Sequence, residues 1–310
     1  MAEPTVSAGL ARGLLNFAVS LGAEEAALRR AADLEGFDLT DPDSRVPFGA
    51  YVKLVRAGKA MTGEPALPLV FAEAIDLAEY SVVGLLANAA ETMMDSFNQL
   101  NRYGQLVVEV DVGEAGRFLY EPREGGMWLI DNRSNPNEFF ELTESAFTRL
   151  ITGPRRFLPR PHVLEAWVTH PEPAHRAVYD RIWRCPISFN APWNGLRMDA
   201  SLATHRVRLE PEYVFGVLSK HAEQLLKDLE QAKTTRGRVE SLIMPIGRRE
   251  LGLLRSAPVF GRVRGRDGQE PGSPVFAVRR FVVSSQSLVD CSIQALGGGG
   301  MSWPATGRGR

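Results

Sequence analysis

The chain has 310 residues, 44% of them apolar and 24% charged, with a formal net charge of −1. That is enough for one large or two ordinary globular domains, and the balance carries no overall bias toward nucleic acid. No run of roughly 18 apolar residues suggests a membrane span, the opening MAEPTVSAGL lacks the order of a signal peptide, and two cysteines, Cys185 and Cys291, make neither a disulfide framework nor a metal set. A reducing, cytoplasmic setting is the expectation.

In chain order, apolar spacing predicts two helices within 7–32, where Leu10, Leu14, Leu15 and Val19 share a face and Gly22 interrupts. A turn-rich link over 38–47 leads to a helix over 48–61, with Tyr51, Leu54, Val55 and Met61 on one stripe. Pro65 and Pro68 precede an apolar run at 69–74. Ser81 is placed to cap a helix through 82–90. Thr92 with Asp95 has capping-box spacing for the next helix, which buries Met93 or Met94, Phe97 and Leu100 and is expected to stop near Gly104. This Met and Phe stripe reads as core.

From 107 to 131 the period changes to two. Val108, Val110 and Val112, then Phe118 and Tyr120, then Trp128 and Ile130 alternate with polar residues, which predicts a three-stranded antiparallel meander. Residues 138–152 return to helix, stopped by Gly153-Pro154. A strand over 163–168 ends before Pro171 and Pro173. Val178, Tyr179, Ile182 and Trp183 follow at helical spacing, and Ile187 and Phe189 alternate as a strand. Asn194-Gly195 suits a two-residue hairpin turn. From Pro211 runs a long amphipathic helix with Val214, Leu218, Ala222, Leu225 and Leu229 on its stripe; after a break near Thr234-Thr235 another helix starts over 238–246. The fold class is α+β: an N-terminal helical subregion, an antiparallel sheet, a helical connector and an irregular Gly- and Arg-rich tail.

Several segments, in this order, resemble one known family. They are the link DLTDPDSRVP, which holds Arg45 and Pro47; Thr62-Gly63-Glu64-Pro65; the Thr-capped helix reaching Arg102-Tyr103; and a strand ending in His-Pro-x-Pro, followed by a Tyr-containing helix, Cys-Pro-Ile-x-Phe and Ala-Pro-Trp-Asn-Gly-Leu. Over about residues 5–245 the chain resembles AraC-type regulators with an arabinose-binding-like sensor domain. The resemblance implies a domain over 1–210 that senses a small-molecule effector, a connector over 211–246, and a helix-turn-helix DNA reader beyond it. For Arg45 and Pro47 it implies scaffold positions. Sugar binding is not inferred, because members of the family respond to chemically diverse molecules. The amphipathic helix could carry a homodimer seam.

Residues 247–310 depart from that pattern. They hold no Ala-x-x-Leu, short turn, Ser-x-x-x-Leu-x-Arg series, and Gly and Pro make up about a quarter of them. Ten Arg and no Lys stand against four acidic residues, so this stretch is about +6 and the rest about −7. One reading is a basic tail in which Arg248, Arg249, Arg262, Arg264 and Arg266 make non-specific phosphate contacts. The other is a frameshift near codons 246–247, because GC-rich coding sequence read out of frame gives such Lys-free text. Either way the DNA reader is expected to be lost or truncated. The alternative function is a stand-alone small-molecule-binding or dimerisation module.

No nucleotide-binding glycine loop, Gly-x-Ser-x-Gly, His-Glu-x-x-His or Cys-x-x-Cys occurs, so neither enzyme activity nor a cofactor nor a metal is expected. His170 and His175 flank a Pro-rich loop and could share a site, but they read as loop hydrogen-bonders. Cys185 reads as a packing residue rather than a redox centre. Phe118, Tyr120, Trp128, Trp167 and Phe189 are candidates to line an apolar effector pocket, with Arg133, Arg117 and Asn132 as polar orienters. Each aromatic could equally fill the core between sheet and helices.

Overall fold

The first strand, β1 (Thr5–Ser7), ends in Ser7, whose hydroxyl accepts from Leu10 N and caps α1 (Ala8–Ser20). In this computed structural model, residues 3–112, 116–123, 125–156, 158, 160–206 and 212–233 are described. The helix expected over 238–246, Cys291 and the whole of 247–310, with its Arg248, Arg249, Arg262, Arg264 and Arg266, lie outside them. After α1 come α2 (Glu25–Ala31), β2 (Arg45–Pro47), α3 (Phe48–Thr62) and α4 (Leu67–Ala74). Leu14, Leu28, Leu54 and Phe71 meet in one buried cluster that holds these helices together. β1 and β2 pair antiparallel, Val6 opposite Val46. Three residues are too few for alternation to register in a sequence, and neither strand was expected.

Ser81 caps α5 (Val82–Ala89). At α6 (Met93–Val107) the capping box forms as its spacing predicts: Thr92 Oγ1 accepts from Asp95 N at 3.1 Å, and the Asp95 carboxylate accepts from Thr92 N at 3.2 Å. The expected stop at Gly104 is wrong. Arg45 reaches across from β2, donating to the carbonyls of Gln105 (3.1 Å) and Leu106, so the last turn is capped by a distant guanidinium rather than ended by glycine. The same side chain donates to Thr5 O and Thr5 Oγ1. Burial pushes the Arg45 guanidinium down to about 10, as suits a scaffold position.

The expected meander is also corrected. Val108 makes an isolated bridge to Val6, and residues 109–112 form no strand. What remains is a hairpin of β3 (Phe118–Arg123) and β4 (Gly126–Asp131). Next come α7 (Glu141–Thr152), β5 (Val163–Trp167), α8 (Arg176–Trp183), β6 (Ile187–Ser188) and β7 (Gly195–Met198). Among the described residues they complete a five-stranded sheet of order β3-β4-β7-β5-β6, antiparallel except between β5 and β6. The hairpin expected at Asn194-Gly195 does not form, since β5 lies between β6 and β7. Asn194 is instead a buried fastener: its Oδ1 accepts from Thr169 N at 2.8 Å and its carbonyl from Asp131 N at 3.0 Å. Between β6 and β7 the residue with positive φ is Asn190 (54°).

One sheet face, with Leu129, Ala166, Leu196 and Met198, packs on Phe147 and Ile151 of α7 and on Tyr179, Ile182 and Trp183 of α8. The other carries a row paired in register: Glu121, Trp128, Arg197 and Glu165. The last helix, α9 (Glu212–Ala232), buries Ala222 and Leu229, with Leu218 and Leu225 packed beside them, as its sequence stripe predicts. Its seat is Val82, Val83 and Leu86 of α5 together with Tyr103 and Leu106 of α6. Tyr103 Oη donates to Glu223 Oε1 at 2.6 Å, and Lys233 Nζ lies 2.7 Å from Glu109 Oε1. The architecture is α+β. Among the described residues no helix is long and apolar enough to cross a membrane.

Candidate ligand-binding site

α4, α5, α6 and α7 line an open cavity of about 450 Å³, within the range of small-molecule sites. One stripe of α6 supplies Met93, Phe97, Leu100, Gly104 and Val107; α5 supplies Val83, Gly84 and Ala87; α7 supplies Leu142, Ala146 and Leu150. The Met and Phe stripe read as core thus enters the core at Met93 and Phe97 and also walls the cavity. Phe118 closes another side. It is held by Asn101 of α6, whose amide accepts from Phe118 N at 2.8 Å and donates to Phe118 O at 2.6 Å.

Two guanidinium groups line this apolar space. Arg149, on α7, donates to Tyr80 Oη at 2.7 Å and to Ser145 O at 3.2 Å, and lies over the rings of Phe71 (5.1 Å) and Tyr80 (6.0 Å). Its Nε is buried with no hydrogen-bond partner, and no ion pair to Arg149 forms among the described residues. Arg117 shares a single carboxylate, Asp131, with Arg133, at 3.2 Å and 3.0 Å. Burial pushes the Asp131 carboxyl up, but the two guanidinium groups outweigh it and hold the group below the usual carboxylate range. The acids on the cavity lining have partners: Glu73 pairs with Arg181 at 2.8 Å, the Asp76 carboxylate accepts from Ala78 N at 3.0 Å, and Glu79 accepts from Asp76 N.

Of the aromatic candidates, Phe118 lines this cavity. Tyr120 stands beside it on the same face of β3, half-buried against the sheet–helix core. Trp128 and Trp167 lie on the opposite sheet face, where their rings pack at 4.8 Å and Trp193 joins at 4.9 Å from Trp167. Phe189 packs on His170 and Tyr179. Arg133 is committed to Asp131, Phe139 O and Thr143 Oγ1, and Asn132 donates to Val112 O. His170 and His175 do come together, around Tyr179 and Glu144: His170 Nε2 is 3.3 Å from Tyr179 Oη, and His175 Nε2 is 3.5 Å from Glu144 Oε1. Among the described residues no group of His, Cys, Asp or Glu is arranged to hold a metal ion. Cys185 is a half-buried free thiol, and burial pushes it up to about 11, so little thiolate exists at neutral pH.

Arg149 was not singled out from sequence. Its helix is buried on nearly every side: Leu142, Phe147, Leu150 and Ile151 are all buried, as are Thr143, Glu144 and Thr148. A helix buried all round has to find partners for its polar side chains within the protein or in a ligand.

Residues 22–207 match the arabinose-binding domain found at the N-terminus of AraC transcription regulators. The chain is similar to the ornithine utilization regulator of Pseudomonas aeruginosa, 22% identical over 246 residues that cover 77% of this chain and 70% of that one. It also aligns with the crystal structure of the transcriptional regulator CdpR from Pseudomonas aeruginosa, at 15% identity and a TM-score of 0.43. That alignment covers 63% of each chain, just under two thirds of the length of CdpR.

Proposed function

The chain belongs to the AraC transcription regulators with an N-terminal arabinose-binding domain, and we propose on that premise that it binds a small-molecule effector in the cavity and passes occupancy to α9. The observation that carries this reading is the position of α5 and α6. Both helices line the cavity, with Val83 and Ala87 on α5 and Leu100 and Val107 on α6, and Val83, Leu100 and Val107 also touch the cluster under α9. The same two helices seat α9, through Val82, Val83 and Leu86 on α5 and Tyr103 and Leu106 on α6. Packed helices shift as units rather than deform continuously, so a ligand that favours one placement of α5 and α6 also biases the seat of α9.

On this reading residues 1–210 are the sensor and 211–246 the connector. Tyr213 and Val217, one turn apart on α9 and 81% and 49% exposed, are the place for a homodimer contact. The protein acts with DNA in the cytoplasm, and its relatives' names describe regulators rather than enzymes. Residues 247–310 show no helix-turn-helix spacing, so the chain as written touches DNA through Arg248, Arg249, Arg262, Arg264 and Arg266 without reading sequence. That observation also favours a second reading, a sensor module acting without a DNA reader of its own.

Two measurements test this. Thermal shift of the full chain against a metabolite library that includes ornithine is run in parallel with Gly104→Leu, which projects a side chain into the cavity. A ligand should raise the wild-type Tm and leave the variant's unchanged; hits that act equally on both would defeat the cavity reading. A gel shift on DNA upstream of the gene should be weak and lost with added salt. A specific, salt-tolerant shift would overturn the loss of the reader.

A further inference from the structure

Arg149 places a cation on the wall of an apolar cavity, with no ion pair among the described residues. Its two hydrogen-bond partners, Tyr80 Oη and Ser145 O, are neutral, and its Nε, buried and unpaired, has a donor to spare. A partly buried guanidinium on an apolar wall gains from a charge-assisted bond to an acid. Arg117, also on the cavity wall, is half-neutralised because it divides Asp131 with Arg133. The acids on the cavity lining have other duties: Glu73 is paired with Arg181, the Asp76 carboxylate caps the turn by accepting from Ala78 N, and Glu79 accepts from Asp76 N. The interior is therefore electropositive at one point and apolar around it, at Met93, Phe97, Leu100 and Phe118.

We propose that the cavity takes an amphiphilic anion, a carboxylate on a compact apolar body, with the Arg149 guanidinium as its anchor. This rests on the cavity being the effector site. The Phe71 and Tyr80 rings lie against the guanidinium and limit its movement, so little rotamer freedom is lost on binding. A sugar, by contrast, needs several paired polar groups for its hydroxyls, and most of this wall offers none.

The test uses the full chain with 4-phenylbutyrate, 4-phenylbutan-1-ol and arabinose, measured by calorimetry in wild type, Arg149→Met, Arg149→Lys and Gly104→Leu. The acid should bind wild type about tenfold or more tighter than the alcohol. Arg149→Met should erase that preference, Arg149→Lys should keep part of it, and Gly104→Leu should weaken both probes. If Arg149→Met does not fold, the acid-to-alcohol ratio in wild type and its decline in Arg149→Lys decide the matter. Equal binding of acid and alcohol, both lost in Gly104→Leu, overturns the anion and leaves the cavity standing as the site. Acid binding that survives Gly104→Leu overturns the cavity reading as well. Failure of the acid to bind, or binding of arabinose alone, overturns the proposed ligand class.

Discussion

His162 and His170 are 3% and 2% exposed, and for both burial holds the imidazole below its usual range. At His162 the bond to Leu150 O opposes this and nearby Arg155 adds to it; at His170, Pro171 O, Glu144 and Glu141 oppose it and His175 adds to it. A histidine depressed in the fold stays neutral there while the unfolded chain takes up a proton below about pH 6.5. The unfolded state then binds more protons, so the stability these residues provide is fully present above that pH and is lost as pH falls toward their folded values. The loss is at most about 1.4 kcal/mol per pH unit for each imidazole. Asp131, also depressed, acts in a separate window below about pH 4. Urea unfolding should therefore show stability declining between about pH 7 and pH 5. His162→Gln, which can still donate to Leu150 O but does not titrate in this range, should give a shallower decline. A flat wild-type profile would remove the argument.

At the level of elements, two helical glycines should respond to alanine with opposite signs. A Cβ at Gly84 of α5 would fall onto the backbone of Leu77 and Ala78, which cannot move aside as a side chain could. At Gly104 of α6 a Cβ meets nothing within 4 Å. Gly104→Ala should stabilise by about 0.5–1 kcal/mol through helix propensity, while Gly84→Ala should destabilise by about 2 kcal/mol or more; denaturation midpoints at unchanged m-value read both, and the same sign for both would refute the packing described for α5. Gly104 also marks where sequence reading stopped working. The Thr92 and Asp95 box and the stripe of α9 were legible because their causes are local: a cap three residues from its partner, and a face repeated each turn. The end of α6 depends on Arg45, about 60 residues earlier in the chain. Asn194-Gly195 has the composition of a turn, but β5 separates the strands it would join. For the same reason Phe118 was legible as an aromatic on a strand, whereas Arg149 needed the packing of four helices to become part of a site.

For the whole molecule the question is whether α9 is merely attached or is coupled to the cavity. Its seat is small: Ala222 and Leu229 are its buried side chains, and Glu223 and Lys233 add polar ties to Tyr103 and Glu109. Ala222 is fully enclosed against α5, so Ala222→Leu overpacks the seam at a cost of about 1–3 kcal/mol, and the shortest relief is for α9 to lift. Amide exchange should then speed up over 212–232 and stay unchanged in α7 and α8, whose core α9 does not share. Tyr103→Phe, which removes only the bond to Glu223, should have a smaller effect of about 1 kcal/mol. Coupling makes a stronger demand, since linkage is reciprocal: a change inside the cavity must be felt at α9. Gly104→Leu adds its side chain on the cavity stripe of α6, three-quarters of a turn or less from Tyr103 and Leu106 on the α9 side, at a position where a Cβ meets no atom of α9 within 4 Å. Altered exchange over 212–232 in that variant, with the ends of α6 still protected, is the expected signature of transmission through the helix. If Ala222→Leu strips protection from α9 and Gly104→Leu leaves it untouched, α9 is a docked helix with no part in sensing, and the route from cavity to connector through α5 and α6 is refuted.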